Sequence, residues 1–209
     1  MQRKRHMSNS YNYVDPDFTY TDPTTGVLRN LADITEQDVL LFVESGAVTK
    51  RIQELYESPI KIKGIESLFT IHGHLFQDIY SWAGKKRTVE ISKAGKPFFP
   101  TTHFENAYQF IDTLISDYKK TSKNNKPQLT EKLAEILDNV NYLHPFREGN
   151  GRAQREFIRL LALEKGLTLN LNPPDNKSVY DQYMQGTIDS DIRTLVKLIS
   201  ELIETQTKK

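Results

Sequence analysis

The chain has 209 residues and no cysteine, with 28 Lys+Arg against 27 Asp+Glu for a formal net charge of +1. Those figures exclude a disulfide framework and argue against a general nucleic-acid or anionic-membrane surface. No stretch approaches the roughly 18 apolar residues of a membrane span, and no apolar signal core opens the chain, so it reads as one cytoplasmic domain.

Residues 1–30 are polar, rich in Tyr, Asp, Thr and Pro, and lack periodicity, so they read as an arm outside the core. The basic run Arg3-Lys4-Arg5 within it reads as a solvated tail. Residues 31–209 make up the domain. From Thr35 the pattern turns helical, and Ile65, Leu68, Phe69, His72, Leu75, Phe76, Ile79, Tyr80 and Ala83 form a stripe at helical spacing, closed by Gly84. His72 and His74 form a His-x-His pair. Residues two apart on a helix do not face each other, so they read as one structural and one surface histidine, not a metal site.

The one convincing β signal is a hairpin at about 87–100. Thr88-Val89-Glu90-Ile91-Ser92 alternates in polarity, Lys93-Ala94-Gly95-Lys96 is turn chemistry, and Pro97-Phe98-Phe99-Pro100 returns. A lone hairpin is marginal, so it must lean on the helices. Prolines limit pairing on the return strand, which leaves Thr88–Ser92 as the edge able to take up an extended peptide by strand addition. His103 reads as a surface residue.

Ala107, Phe110, Ile111, Leu114, Ile115 and Tyr118 mark the next helix. Thr102 and Glu105 make a Ser/Thr-x-x-Glu capping box at its start, and a polar loop over Lys119–Pro127 ends it. Leu129, Leu133, Ile136, Leu137, Val140 and Leu143 share a face of the following helix, which Pro145 stops. Another helix begins near Arg152, buries Ala153, Phe157, Leu160 and Leu161, and ends at Gly166. Tyr180, Tyr183 and Met184 offer either an aromatic face for a purine or a piece of core. Ile192, Leu195, Val196, Ile199, Leu202 and Ile203 make the last stripe. The class is all-α: a helical bundle with one small β-hairpin.

The run from His144 to Arg155 carries the chemistry. Gly149 and Gly151 permit a turn in which successive backbone N–H groups converge on a phosphate, with the positive end of the next helix aimed at the same spot. Arg152 and Arg155 crowd a first helical turn, against the dipole unless an anion lies between them. Glu148 supplies a hard oxygen suited to Mg²⁺. On the residues alone, His144 is equally a general base or a helix-end residue facing the carboxyl-terminal dipole.

This run fits His-x-Phe-x-Asp/Glu-Gly-Asn-Gly-Arg-x-x-Arg at all eight specified positions and resembles the signature of the Fic family. Tyr20–Leu31 is similar to that family's N-terminal arm, and Ile71-His72 through Trp82-Ala83-Gly84 to the helix before its active-site flap. The resemblance spans roughly residues 11–205. It implies a Fic-fold helical bundle and a protein adenylyltransferase that moves AMP from ATP, with Mg²⁺, onto a Tyr, Thr or Ser hydroxyl of a target protein docked along the flap. His144 is then the base, Glu148 the metal ligand, and Phe146 a buried anchor. Gly149, Asn150, Gly151, Arg152 and Arg155 hold the phosphates, while Ile91, Ser92 and Tyr183 border the nucleotide. Members of the Doc branch, which act as kinases, carry Lys where this chain has Gly151, and the difference implies nucleotidyl transfer. Transfer of UMP or phosphocholine, removal of AMP, or a nucleotide-binding module without turnover are the alternatives.

Fic proteins are often silenced by a helix with Ser/Thr-x-x-x-Glu-Gly/Asn, whose glutamate pairs with the second motif arginine, here Arg155. Thr101–Asn106 fits the letters, but the capping box accounts for it; Ser200–Thr205 departs from the pattern at Thr205. An antitoxin-like inhibitory protein acting in trans is therefore expected, as for the toxin of a toxin–antitoxin pair, with a secreted effector the other setting.

Overall fold

Spacing of apolar residues at three and four builds the core around the helix Lys126–Leu143, here α4. Leu129, Leu133, Ile136, Leu137 and Val140 are wholly buried on it, each side chain stabilising the fold by about 1.5–3 kcal/mol. Asn125 caps it by accepting from the Gln128 N–H, and Pro127 occupies its first turn, where a missing N–H costs nothing. The structure, a computed structural model, describes residues 12–13, 15–93, 95–171 and 176–205. Arg3-Lys4-Arg5 lies outside them.

Among the described residues there are seven α-helices. The others are α1 (Gln37–Glu57), α2 (Glu66–Phe76), α3 (Phe104–Lys120), α5 (Asn150–Glu164), α6 (Lys177–Asp189) and α7 (Ile192–Leu202). α3, α5 and α7 pack on α4, α2 packs on α5, and α1 covers α2. The helical bundle expected from the sequence is therefore present. Gly166, with φ +72, follows α5 as expected, although α5 begins two residues before Arg152.

Several local expectations fail, each for a physical reason. The stripe from Ile65 to Ala83 is not one helix: α2 stops at Phe76, and the chain turns back so that Gly84 lies on Gly73. A Cβ at Gly84 would lie 3.1 Å from both Gly73 Cα and the Phe69 carbonyl oxygen, so backbone contact replaces side-chain packing there. Thr102 does not cap α3. Glu90 reaches across from the flap and accepts from Thr101 N–H and Oγ1 at 2.8 and 2.6 Å, ahead of a short 3₁₀ turn over Thr101–His103.

The β structure is also larger than expected. The flap strands are β2 (Ile91–Lys93) and β3 (Lys96–Pro97), shorter than the sequence pattern suggests. A strand from the arm, β1 (Asn12–Tyr13), pairs antiparallel with β2, with Tyr13 opposite Ile91 and Asn12 opposite Ser92. β2 is thus the central strand, and its outer edge is not open to a peptide. A second small sheet joins β4 (Leu167–Thr168) to β5 (Glu204–Thr205). Glu204 is therefore on a strand and not on an inhibitory helix. Nor does all of residues 1–30 lie outside the core: Tyr20 and Val27 are buried, and the Tyr20 hydroxyl accepts from the Thr88 N–H at 3.0 Å. Asp15 secures that segment by accepting the N–H groups of Thr19, Tyr20 and Thr21.

Candidate active site

α4 ends because Pro145 drives its predecessor out of the right-handed helical region. His144 takes φ 45, ψ 59, a left-handed conformation that costs a residue with a Cβ about 1–2 kcal/mol. Arg87 holds it there. This fully buried arginine donates to the carbonyls of His144 (2.9 Å), Val89 (2.7 Å) and Phe99 (2.6 Å), while its own N–H donates to the Pro145 carbonyl at 2.7 Å. One cation thereby ties the base of the flap to the end of α4. Nothing periodic in the sequence marks Arg87 for that task.

The imidazole of His144 is buried beneath the flap, with the Phe98 ring stacked on it at 3.7 Å between centroids and 16° between planes. Nδ1 lies 2.9 Å from the Asn141 carbonyl, which can only accept, so Nδ1 carries the proton and Nε2 is the basic nitrogen. Burial lowers the His144 pKa to about 3, with Lys93 and Arg87 pushing the same way and the Asn141 carbonyl opposing. His144 is neutral near pH 7, which a proton acceptor requires. His144 is the C-cap of α4 and also presents a neutral ring with Nε2 as its basic nitrogen, so its position is compatible with either reading.

The turn that follows is held from three sides. Asn150 is fully buried, and its side-chain amide clasps Phe146, accepting its N–H at 2.9 Å and donating to its carbonyl at 2.8 Å. Its side chain thus shapes the turn. Gly149 has φ +82, and a Cβ there would run into the Phe76 ring. Gly151, by contrast, lies inside α5 without a positive φ; a Cβ there would meet Arg155 Nη1 at 3.3 Å, so its smallness makes room for that arginine. His72 supplies the third hold. Its Nδ1 accepts from the Gly84 N–H at 2.9 Å, so Nε2 donates to the Glu148 carbonyl, also 2.9 Å away. The ring stacks on Phe146 at 3.8 Å, and burial lowers its pKa to about 3. Its structural role agrees with the sequence reading. His74 is more engaged than a surface residue, lying 3.1 Å from the Arg51 carbonyl.

Glu148 is half-exposed; Oε1 accepts from the Gly149 N–H at 2.9 Å and lies 3.5 Å from Arg152 Nη2. Among the described residues no three His, Cys, Asp or Glu side chains cluster as a metal site. A single accessible carboxylate fits Mg²⁺, which binds through one or two carboxylates plus substrate phosphates. Lys93 of the flap is close enough that the Glu148 charge raises its pKa, against a larger lowering by burial.

Arg152 turns from Glu148 toward α1, where its Nη1 lies 2.5 Å from Glu44 Oε1, and its Cζ sits 4.7 Å from the Phe76 ring centroid. Tyr80 also donates its hydroxyl to Glu44. Sequence reasoning missed both residues, yet a signal existed: Glu44 falls on the Leu40–Glu44–Val48 stripe, a carboxylate where the α1 pattern calls for an apolar residue. Arg155 leans on two aromatic rings, its Cζ 5.3 Å from Tyr183 and 5.7 Å from Tyr180. Tyr183 is buried, its hydroxyl 3.4 Å from Gln154 Oε1, so it supports Arg155 from within the core. Ile91 is buried on β2 and Ser92 half-buried beside it; the Ile91 carbonyl accepts from the N–H of Phe98, the residue stacked on His144, at 3.1 Å. A cleft of about 260 Å³ opens between α1 and α5, lined by Arg152, Arg155 and Arg159 among others.

Residues 62–162 match the model of the Fic/DOC family. The chain is 30% identical over 187 residues to the probable protein adenylyltransferase Fic of Escherichia coli K12, covering 88% of this chain and 91% of that one. It is 38% identical over 148 residues to the protein adenylyltransferase VbhT of Bartonella schoenbuchensis, covering 70% of this chain; the chain spans 31% of that relative's length. Among solved structures, the N-terminal Fic domain of an effector from Bartonella sp. AR 15-3 superposes with a TM-score of 0.80 at 20% identity, covering 90% of this chain and 92% of that one. The BepC protein of Bartonella tribocorum, solved with AMPPNP, gives 0.77 at 18% identity, covering 91% and 98%. At these identities the two structures speak for the fold.

Proposed function

The chain belongs to the Fic/DOC family, and from that premise we propose that it is a protein adenylyltransferase, moving AMP from ATP to a hydroxyl of another protein. The observation that carries the reading is the pairing of a neutral His144, its Nδ1 tied to Asn141, with a glycine turn at the N-terminus of α5. A base and a phosphate cradle are fixed on either side of Pro145. The target hydroxyl oxygen attacks the α-phosphorus while its proton passes to Nε2 of His144. The bond from that phosphorus to the bridging oxygen breaks, and pyrophosphate leaves. Backbone N–H groups at the start of α5 and the guanidinium groups of Arg152 and Arg155 meet the charge on the phosphates. Glu148 would hold Mg²⁺, which supplies further charge neutralisation at the phosphates when bound.

Target docking involves the flap. Because β1 already pairs with β2, a target strand adding at that edge takes the place of Asn12–Tyr13. Regulation in trans fits the same geometry. Of the two stretches resembling an inhibitory motif, one places Glu105 3.6 Å from Lys86 and the other places Glu204 on β5, whereas the cleft between α1 and α5 gives a partner's glutamate access to Arg155.

The test is mass spectrometry of a cell lysate incubated with the chain, Mg²⁺ and isotopically labelled ATP. AMP on Tyr, Thr or Ser of a lysate protein is expected. A different added group, or ATP bound without any transfer, would overturn the assignment.

A further inference from the structure

Glu44 is a buried carboxylate outside the motif and outside the segment that matches the family model. Burying an ionised carboxylate is costly unless it is paired and hydrogen-bonded, and Glu44 has both kinds of partner: Arg152 Nη1 at 2.5 Å and the Tyr80 hydroxyl. The hydroxyl stays protonated, since burial and the charge of Glu44 both raise the Tyr80 pKa. The guanidinium is also packed against Phe76, so two contacts from α1 and α2 fix its place.

Among the described residues the other carboxylate paired with Arg152 is Glu148, four residues before it and 3.5 Å from Nη2. Arg152 is thus shared unequally between two carboxylates, and the closer one is not the residue assigned to the cation. Were Glu44 uncharged, the nearest opposite charge left to the guanidinium would be Glu148. Arg152 would close onto it, withdrawing a phosphate-binding cation and neutralising a cation ligand together. Phosphates arriving at the turn do not free Arg152 from Glu44 either, because that would leave a buried charge unpaired. They meet a guanidinium that keeps its place and offers its remaining N–H donors.

We infer that Glu44, supported by Tyr80, is a positioning residue that holds Arg152 for the nucleotide phosphates and keeps it off Glu148. The inference rests on the nucleotide-transfer reading above and adds to it a residue from α1.

The test is calorimetric titration of the full chain with ATP over a range of Mg²⁺ concentrations, together with a thermal melt of each variant. Glu44→Gln keeps the shape and removes the charge. It is expected to weaken ATP binding by about tenfold, the scale of one charge-assisted hydrogen bond, and to raise the Mg²⁺ concentration needed for half-maximal binding. Tyr80→Phe should shift both in the same direction by less. In an Arg152→Ala background, Glu44→Gln should change ATP affinity by less than about twofold, because the residue it acts through is gone. Tighter ATP binding by Glu44→Gln would mean that the glutamate competes with phosphate, which overturns the inference. So would a lowered melting temperature with unchanged ATP and Mg²⁺ dependence, or a full effect in the Arg152→Ala background. If Glu44→Gln fails to fold, the same criteria apply to Tyr80→Phe alone. A wild-type chain that binds no ATP would remove the nucleotide reading itself, whereas the outcomes above remove only the role of Glu44.

Discussion

Gly149→Ala tests the phosphate turn at its most constrained point. The backbone there has φ +82, which costs a residue with a Cβ about 1–2 kcal/mol. The added methyl would also enter the Phe76 ring, and forcing extra volume into a packed core costs about 1–3 kcal/mol. Phe76 cannot retreat easily, because its ring stacks on His72 at 4.6 Å and lies beneath Arg152. The two effects together destabilise by about 2–5 kcal/mol, or roughly 4–20 °C in melting temperature for a domain of this size. Differential scanning calorimetry of wild type, Gly149→Ala and Gly149→Ala/Phe76→Leu gives the measurement. Measured against Phe76→Leu alone, which carries its own cavity cost, the double variant should show only the backbone share. A melting temperature for Gly149→Ala within about 2 °C of wild type would refute the reasoning, since both strain terms would then be absent.

His144→Ala should retain nucleotide affinity while transfer falls by about 10²–10⁴, the scale of general-base catalysis, and full transfer by a folded variant would remove that role. Stability should fall on acidification. His72 and His144 have native pKa values lowered to about 3 from 6.5, so below about pH 6.5 the unfolded chain takes up protons that the native chain refuses. Urea midpoints should be level above that pH and decline toward pH 3; His72→Gln should flatten the decline, and a midpoint unchanged at about pH 4.5 would contradict it. Arg155→Ala should weaken ATP more than ADP by calorimetry if that arginine meets the terminal phosphate, and equal losses would place it elsewhere. Deleting residues 1–14 removes β1 and exposes the edge of β2, so target modification in a lysate should rise; no change would mean that docking does not use that edge.

The sequence by itself determined the helical class and the positions of α3, α4, α5 and α7, because each carries its own apolar stripe and a local stop such as Pro145 or Gly166. It also marked the turn before α5 at Gly149, whose φ of +82 a glycine permits, but not that Gly151 would lie within the helix. Only the tertiary structure decided what lies across that turn. Arg87 reaches His144 over 57 residues, His72 reaches Glu148 over 76, and Glu44 meets Arg152 from a different helix. It alone put Asn12–Tyr13 on the flap, Phe98 over the imidazole, and Glu90 against Thr101 at the 3₁₀ turn before α3, where the Thr102 cap was expected. Periodicity reports which face a residue occupies; it carries no information about which distant carbonyl or carboxylate will satisfy a buried charge. That pairing is settled only when the helices pack and each desolvated polar group must find a partner.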